Sequence, residues 1–214
     1  MTAPGRNGAD ARTHLLRQVD EMVGETKAKT IKAETVSITT TSLKMMERPT
    51  RPTPAVPRMN EPVILIHAQE PTLSFYRYLY NTIGEEWLWY ERRVMSDSEL
   101  SAIIHDEKIF IYVLYVDGVP AGYVELDCRA HSNIEVAYLG LIPEFVGRGL
   151  GWRLVSWALE FAWNREPDRV WIHTCNWDHP AALPLYQKAG FAPFNQETIE
   201  IPNPYLLPCF QGVS

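Results

Sequence analysis

From Pro62 onward, hydrophobic and polar positions recur with two periods that take turns along the chain. "VILIHA" reads as a strand, and "TLSFYRYLYNTI" and "SDSELSAIIHDE" read as helices. The second helix opens at Ser96 as N-cap, with Glu99 completing a capping box. "IFIYVLYV" and "GVPAGYVELDCR" pair as a hairpin whose turn is marked by Asp117 and Gly118. "NIEVAYLGLIP" is a further strand. The helix that follows places Leu154, Trp157, Ala158, Phe161 and Ala162 on one face, the spacing of a helix packed on a sheet. "RVWIHTCNW" is a strand, "PAALPLYQKAG" a helix stopped by Gly190, and "QETIEI" the last strand. The fold class is therefore α+β, with an antiparallel start and a β-α-β-α-β finish.

Ahead of Pro62 the pattern changes. Residues 1–33 are small, polar and charged apart from "HLLRQVDEMV", which has the period of one weak amphipathic helix, and they read as a flexible extension. Residues 34–61 combine a Thr-rich strand, "ETVSITTTSLKMM", which has the makings of a partner for the sheet, with a linker in which Pro49, Pro52, Pro54 and Pro57 remove backbone donors and fix φ. The compact domain expected from this is 62–214.

Composition narrows the functional classes. With 46% hydrophobic and 21% charged residues, 214 residues suffice for one substantial core. The longest apolar runs fall short of the roughly 20 residues of a bilayer crossing, and the polar N-terminus lacks a secretory h-region, so a cytoplasmic protein without membrane partners is expected. A net charge of −6 argues against a nucleic-acid surface. Cys128, Cys175 and Cys209 lie far apart with no CxxC pair, so neither a disulfide framework nor a metal site is expected.

The chemistry concentrates in "LGLIPEFVGRGLGWRLVSWALEF", where Gly147, Gly149 and Gly151 connect a strand to a helix. Residues without Cβ let the chain approach an anion closely, and a helix N-terminus adds partial positive charge. A flexible connection with positive φ is the plainer reading of the same turn. No Gly-Lys-Ser/Thr follows, which removes the Walker A reading, and Leu154 stands where a dinucleotide fingerprint needs its third glycine.

The run Val146-Gly147-Arg148-Gly149-Leu150-Gly151 resembles the Gln/Arg-x-x-Gly-x-Gly/Ala motif of the Gcn5-related N-acetyltransferase (GNAT) family, and "HPAALPLYQKAGF" resembles its Asn-x-x-Ala-x-x-Leu-Tyr-x-x-x-Gly-Phe stretch. The motifs stand in the family order with "RVWIHTC" between them, and the resemblance spans about Val63 to Ile201. Val146 replaces the opening Gln/Arg, and His179 replaces the Asn.

The resemblance implies a mixed, mostly antiparallel sheet flanked by helices, and a transferase that moves the acetyl group of acetyl-CoA to a primary amine without a metal. It implies that the pyrophosphate rests on the N–H groups of Gly147 to Trp152 (Gly147, Arg148, Gly149, Leu150, Gly151, Trp152), with the pantetheine along Leu139, Gly140 and Leu141 and a contact from His179. Arg148 and Arg153 offer charge to phosphate, and each reads equally well as a solvated residue. For the chemistry it implies the Leu141 N–H as oxyanion donor, Tyr186 as the acid for the leaving thiolate and Glu135 as the base, with Glu125 and Asp127 as rivals. Solvated or core positions are the plainer readings of these side chains.

The aromatic run Phe75 to Arg93 falls where family members build the acceptor wall, with Trp87, Trp89 and Tyr90 suited to bound an apolar or cationic acceptor and Glu85, Glu86 and Glu91 suited to an ammonium. The expected acceptor is an amine-bearing small molecule, with room for a homodimer. A protein or peptide acetyltransferase and a non-catalytic acyl-CoA sensor are the competing readings. A cleft closed by the Trp87 to Tyr90 segment favours the small amine, and an open acidic groove favours the peptide.

Overall fold

A computed structural model of the chain describes residues 33–49 and 61–210. The extension and most of the proline linker lie outside them. The chain divides into two compact units, one of residues 38–199 and one of residues 1–37 with 200–214. In the smaller unit Asn203, 2% exposed, joins the two chain segments: its N–H donates to the Glu34 carbonyl at 2.9 Å and its Nδ2 to the Ala33 carbonyl at 2.8 Å.

The elements run β1 (Thr35–Met45), β2 (Val63–His67), α1 (Leu73–Gly84), a short α2 (Glu91–Val94), α3 (Asp97–Ile104), β3 (Ile109–Val116), β4 (Val119–Asp127), β5 (Asn133–Leu141), α4 (Leu150–Trp163), β6 (Arg169–Cys175), α5 (Ala182–Ala189) and β7 (Ala192–Pro202). Local chemistry accounts for most boundaries. Thr72 caps α1 by accepting from the Phe75 N–H, and the Ser96–Glu99 capping box starts α3 with both of its bonds formed. Asp117 and Gly118 both take positive φ, 50° and 82°, as a two-residue hairpin turn requires. Gly190, at φ 106°, ends α5. The short α2 has no counterpart in the periodicity, because four residues are too few to display a period.

The seven strands form one sheet in the order β2-β3-β4-β5-β6-β1-β7. The pairs from β2 through β5 are antiparallel, β5 and β6 are parallel, and β6 and β1 are antiparallel. The Thr-rich stretch thus pairs with the sheet, and as an interior strand: Thr40 to Met45 lie opposite Cys175 to Val170. On its other side the Thr39 and Thr198 hydroxyls are 2.9 Å apart and Gln196 Nε2 donates to Thr41 Oγ1, so β7 runs antiparallel to β1.

Two apolar clusters line opposite sheet faces. Leu150, Leu154, Val155, Ala158 and Ala162 of α4 pack on Leu43, Val124, Leu126, Ile134 and Ile172. Tyr76, Leu79, Tyr80 and Ile83 of α1 and Leu100 and Ile104 of α3 pack on Ile111, Val113 and Tyr123. Each of the Leu, Ile and Val side chains contributes about 1.5–3 kcal/mol when fully buried. The face of α4 read from the sequence is the inward one, although Trp157 and Phe161 at its edge remain half-buried.

Candidate active site

One irregularity creates the site. Leu126 of β4 lies opposite Val136, but its neighbour Glu125 lies opposite Tyr138, which leaves Ala137 as an extra residue in β5. Such a bulge bends its strand. The parallel pairing with β6 covers Asn133–Val136 against Arg169–Ile172 and ends there, so beyond the bulge β5 and β6 diverge. A cavity of about 430 Å³ fills the wedge, lined by Val136 to Leu141 on one side and by Ile172, His173 and Cys175 on the other.

Backbone alternation decides what β5 offers this wedge. The Ile142 N–H bonds the Ala121 carbonyl at 2.9 Å, so the preceding residue, Leu141, opposite Gly122, belongs to a pair that makes no bonds across to β4. The N–H and C=O of Leu141, and by the same period those of Leu139, therefore turn to the edge that faces the cavity. Gly140 serves packing instead: a Cβ there would collide with the Ile83 Cγ2 of α1 and lie 3.1 Å from Trp89 Cη2. Gly140→Ala is accordingly expected to lower the free energy of unfolding by about 1–3 kcal/mol through overpacking, measurable by urea denaturation.

The glycine turn closes one end. Gly147 and Gly149 have φ of 83° and 77°, a region costly for other residues, and Gly149 is the N-cap of α4. A Cβ at Gly147 would meet nothing within 4 Å, and one at Gly151 only Leu185 at 3.5 Å and Leu141 at 3.9 Å, so packing does not demand glycine at either. The first N–H groups of an α-helix point out of its end, and the N-cap Gly149 has no side chain to cap them. Val146, Gly147, Gly149, Gly151 and Trp152 line the cavity. Leu150 is fully buried in the core, leaving only its backbone to serve a ligand, and the Arg148 guanidinium lies over the Phe145 ring at 5.0 Å.

Tyr186 of α5 and His179, which precedes that helix, also line the cavity. Burial, with Asp178 nearby, raises the Tyr186 phenol well above its usual range, so it stays protonated throughout the working pH range. Asp178 is fixed by the Thr174 hydroxyl at 2.7 Å and the Cys175 N–H at 2.8 Å. Cys175 is pushed up to about 12, chiefly by burial, and is no thiolate at neutral pH.

The other end is aromatic and acidic. Leu88 takes φ 57° and turns the segment before α2 over the cleft, where the Trp89 Nε1–H donates to Asp178 Oδ1 at 3.2 Å and the Trp87 ring meets the His179 ring edge-on at 5.0 Å. Of the acidic residues in this run, Glu91 lines the cavity, its Oε2 accepting from the Tyr138 and Tyr80 hydroxyls at 3.2 and 3.3 Å. Glu85 is drawn to Arg93 at 2.8 Å.

The candidate bases separate sharply. Glu125 is fully buried away from the cavity, where Tyr76 donates to Oε2 at 2.6 Å and Arg92 to Oε1 at 2.8 Å. Asp127 is clasped by Arg129, which holds its carboxyl below the usual range although burial opposes this. Glu135 stands beside the cavity, its Oε1 3.3 Å from Nδ1 of His173, a lining residue that sequence reading passed over. Only the β5–β6 register brings that histidine to Glu135, though its alternation with core residues Val170 and Ile172 already sets it on the opposite face.

Comparison with known proteins places this geometry. The acetyltransferase (GNAT) family model matches residues 73–191. The chain belongs to the GNAT family. Its members use acetyl-CoA, and the matched segment carries both the bulged strand and the glycine turn. An uncharacterized N-acetyltransferase of Methanocaldococcus jannaschii is 32% identical over 127 residues, 55% of this chain and 50% of that protein. An uncharacterized N-acetyltransferase of Archaeoglobus fulgidus is 28% identical over 108 residues, 47% of this chain and 74% of that one. The chain thus spans about half the length of the Methanocaldococcus relative. Among solved structures, a protein assigned to the GNAT family from Novosphingobium aromaticivorans superposes with a TM-score of 0.53 at 19% identity, over 77% of this chain and 65% of its own. A GCN5-related N-acetyltransferase from Kribbella flavida does so with a TM-score of 0.52 at 15% identity, over 81% and 62%. Both show the GNAT fold, mixed and mostly antiparallel with flanking helices. Among the described residues no helix is long and apolar enough to cross a membrane.

Proposed function

We propose that this GNAT protein transfers the acetyl group of acetyl-CoA to the primary amine of a small molecule. The observation that carries the choice of acceptor is the Trp87 to Tyr90 segment, which spans the cleft and is tied to its far wall through Trp89 and Asp178. A pocket walled by this aromatic segment favours a small amine over a peptide lying in an open groove. The aromatic rings beside Glu91 suit an ammonium on an apolar stem.

The residues fit the donor. N–H groups of the glycine turn and the first turn of α4 hold the pyrophosphate, and the cavity-facing edge of Leu139 and Leu141 offers strand-like pairing to the pantetheine. The Leu141 N–H then lies on the edge where the thioester oxygen gathers charge. Acetyl-CoA supplies the activated acyl group; Glu91 holds the amine, and the Tyr186 hydroxyl gives a proton to the leaving sulfur.

The test combines binding and turnover. At 100 times its Kd, acetyl-CoA should stabilise the protein by about 2.7 kcal/mol, a readily measured thermal shift. Gly151→Glu should abolish that shift while the unliganded protein melts normally, because the position is helical and roomy and a carboxylate in the first turn suits the helix dipole. Thiol release across aromatic amines, polyamines, amino acids and short peptides identifies the acceptor. Release confined to peptides would overturn the small-amine reading, and a shift without release to any amine would mark an acyl-CoA sensor.

A further inference from the structure

Deprotonation is the step the residues named so far leave without an agent. An alkylammonium with a pKa near 10 must lose a proton before its nitrogen can attack. Glu91 answers the charge, but its Oε2 is already engaged by two tyrosine hydroxyls. Glu125 and Asp127 are committed to Arg92 and Arg129.

We propose that His173 is the proton acceptor of the reaction and that Glu135 is a positioning residue acting through it. The inference rests on the acetyltransferase reading above. Parallel pairing sets Glu135 opposite Trp171, with His173 two residues further along the same face of β6. Beyond Val136 the strands part, so the imidazole stands at the mouth of the wedge, supported from behind by a carboxylate and open to the cavity in front. Glu135 Oε1, 3.3 Å from Nδ1, draws the ring proton to that nitrogen and leaves the Nε2 lone pair for the substrate.

The surroundings tune it. The bond to Glu135 raises the His173 pKa above 6.5 against the opposing effect of burial, and Glu91 from α2 and Asp178 from the loop after β6 add to the rise. On its own strand Cys175 stays a neutral thiol and Trp171 is uncharged; across on β1 its register partner is Ser42, with Lys44 opposite Trp171. A base with a pKa close to the working pH combines availability with driving force. An arriving ammonium, itself a cation, keeps the imidazole neutral and so available to take the proton.

The step balances. The ammonium N–H bond breaks and its proton passes to Nε2, giving imidazolium; the freed nitrogen pair forms the C–N bond while the C–S bond breaks; the sulfur takes the Tyr186 proton, and the second nitrogen proton restores that hydroxyl. His173 returns its proton to solvent, so amide, free thiol and one proton leave.

Full-length protein with acetyl-CoA and phenethylamine tests this, alongside NMR titration of the histidine ring protons without substrate. His173→Gln is expected to lower kcat/KM about 100-fold at pH 7 and to remove the acidic limb of its pH profile, with acetyl-CoA affinity retained. Glu135→Gln is expected to move both that limb and the NMR titration of His173 to lower pH, since it removes the partner that raises the pKa. A purely structural carboxylate would lower the rate at every pH and leave the limb in place. An unmoved titration in Glu135→Gln, or a His173→Gln variant that keeps the rate and the limb, overturns the dyad. Failure of the broader reading looks different: the wild type itself would release no thiol with any amine. Should His173→Gln misfold, the Glu135→Gln titration alone decides.

Discussion

Arg92→Leu is expected to lower the free energy of unfolding by about 3–5 kcal/mol at pH 8, the cost of leaving one buried charge without its partner. The Arg92 side chain is 12% exposed and Glu125 not at all, and the 2.8 Å ion pair between them is closed by the Tyr76 hydroxyl. The deficit should shrink with acid. Burial raises the Glu125 carboxyl above its ordinary value, with Arg92 holding it down, so loss of Arg92 raises it further. A carboxyl raised on folding adds stability that is present below its unfolded pKa and is lost as pH rises through its folded pKa. The variant thus suffers most where Glu125 must ionise and recovers where it protonates. Urea denaturation at pH 8 and pH 5 checks this, and an equal deficit at both would mean that Glu125 does not change its charge between them. Because Arg92 and Glu91 share the same turn of α2, the variant should also raise KM for the amine.

Tyr186→Phe is expected to reduce kcat about 100-fold while acetyl-CoA affinity stays within about twofold. Removing one hydroxyl barely alters shape, so the apolar packing of Tyr186 with Phe191, ring centroids 6.4 Å apart, survives. Its pKa is raised by burial and by Asp178, so the phenol holds its proton across the assayable range and should add no basic limb to the rate profile. Pre-steady-state measurement of thiol release against amide formation locates the defect at departure of the sulfur. A variant within threefold of wild type would make Tyr186 a core residue only.

Much of this was legible in the sequence because the signals are local. The Ser96 cap, the Asp117-Gly118 turn, the Gly190 stop and the inward face of α4 each arise from residues a few positions apart. The glycine turn was legible for the same reason. What escaped depends on register. Residues 125 and 127 alternate as cleft-facing candidates should, yet only the packing of α1 and α2 shows that Tyr76 and Arg92 cover the first of them. Ala137 carries no mark of the bulge it occupies, and without that bulge neither the wedge nor the pairing of Glu135 with His173 could be foreseen. Nor does a Thr-rich strand before a run of prolines announce that it belongs between β6 and β7.

That last placement bears on how the protein acquires its structure. Strands β2 to β6 follow one another and can assemble as residues 63–175 become available. β1 is made first but finds its partner late: the Thr39 N–H donates to Asn176 Oδ1, 137 positions away. Pairings of such span are slow to form, because a long loop must close before any contact rewards it. During synthesis β1 must therefore wait for β6 to leave the ribosome before it can take its interior place in the sheet.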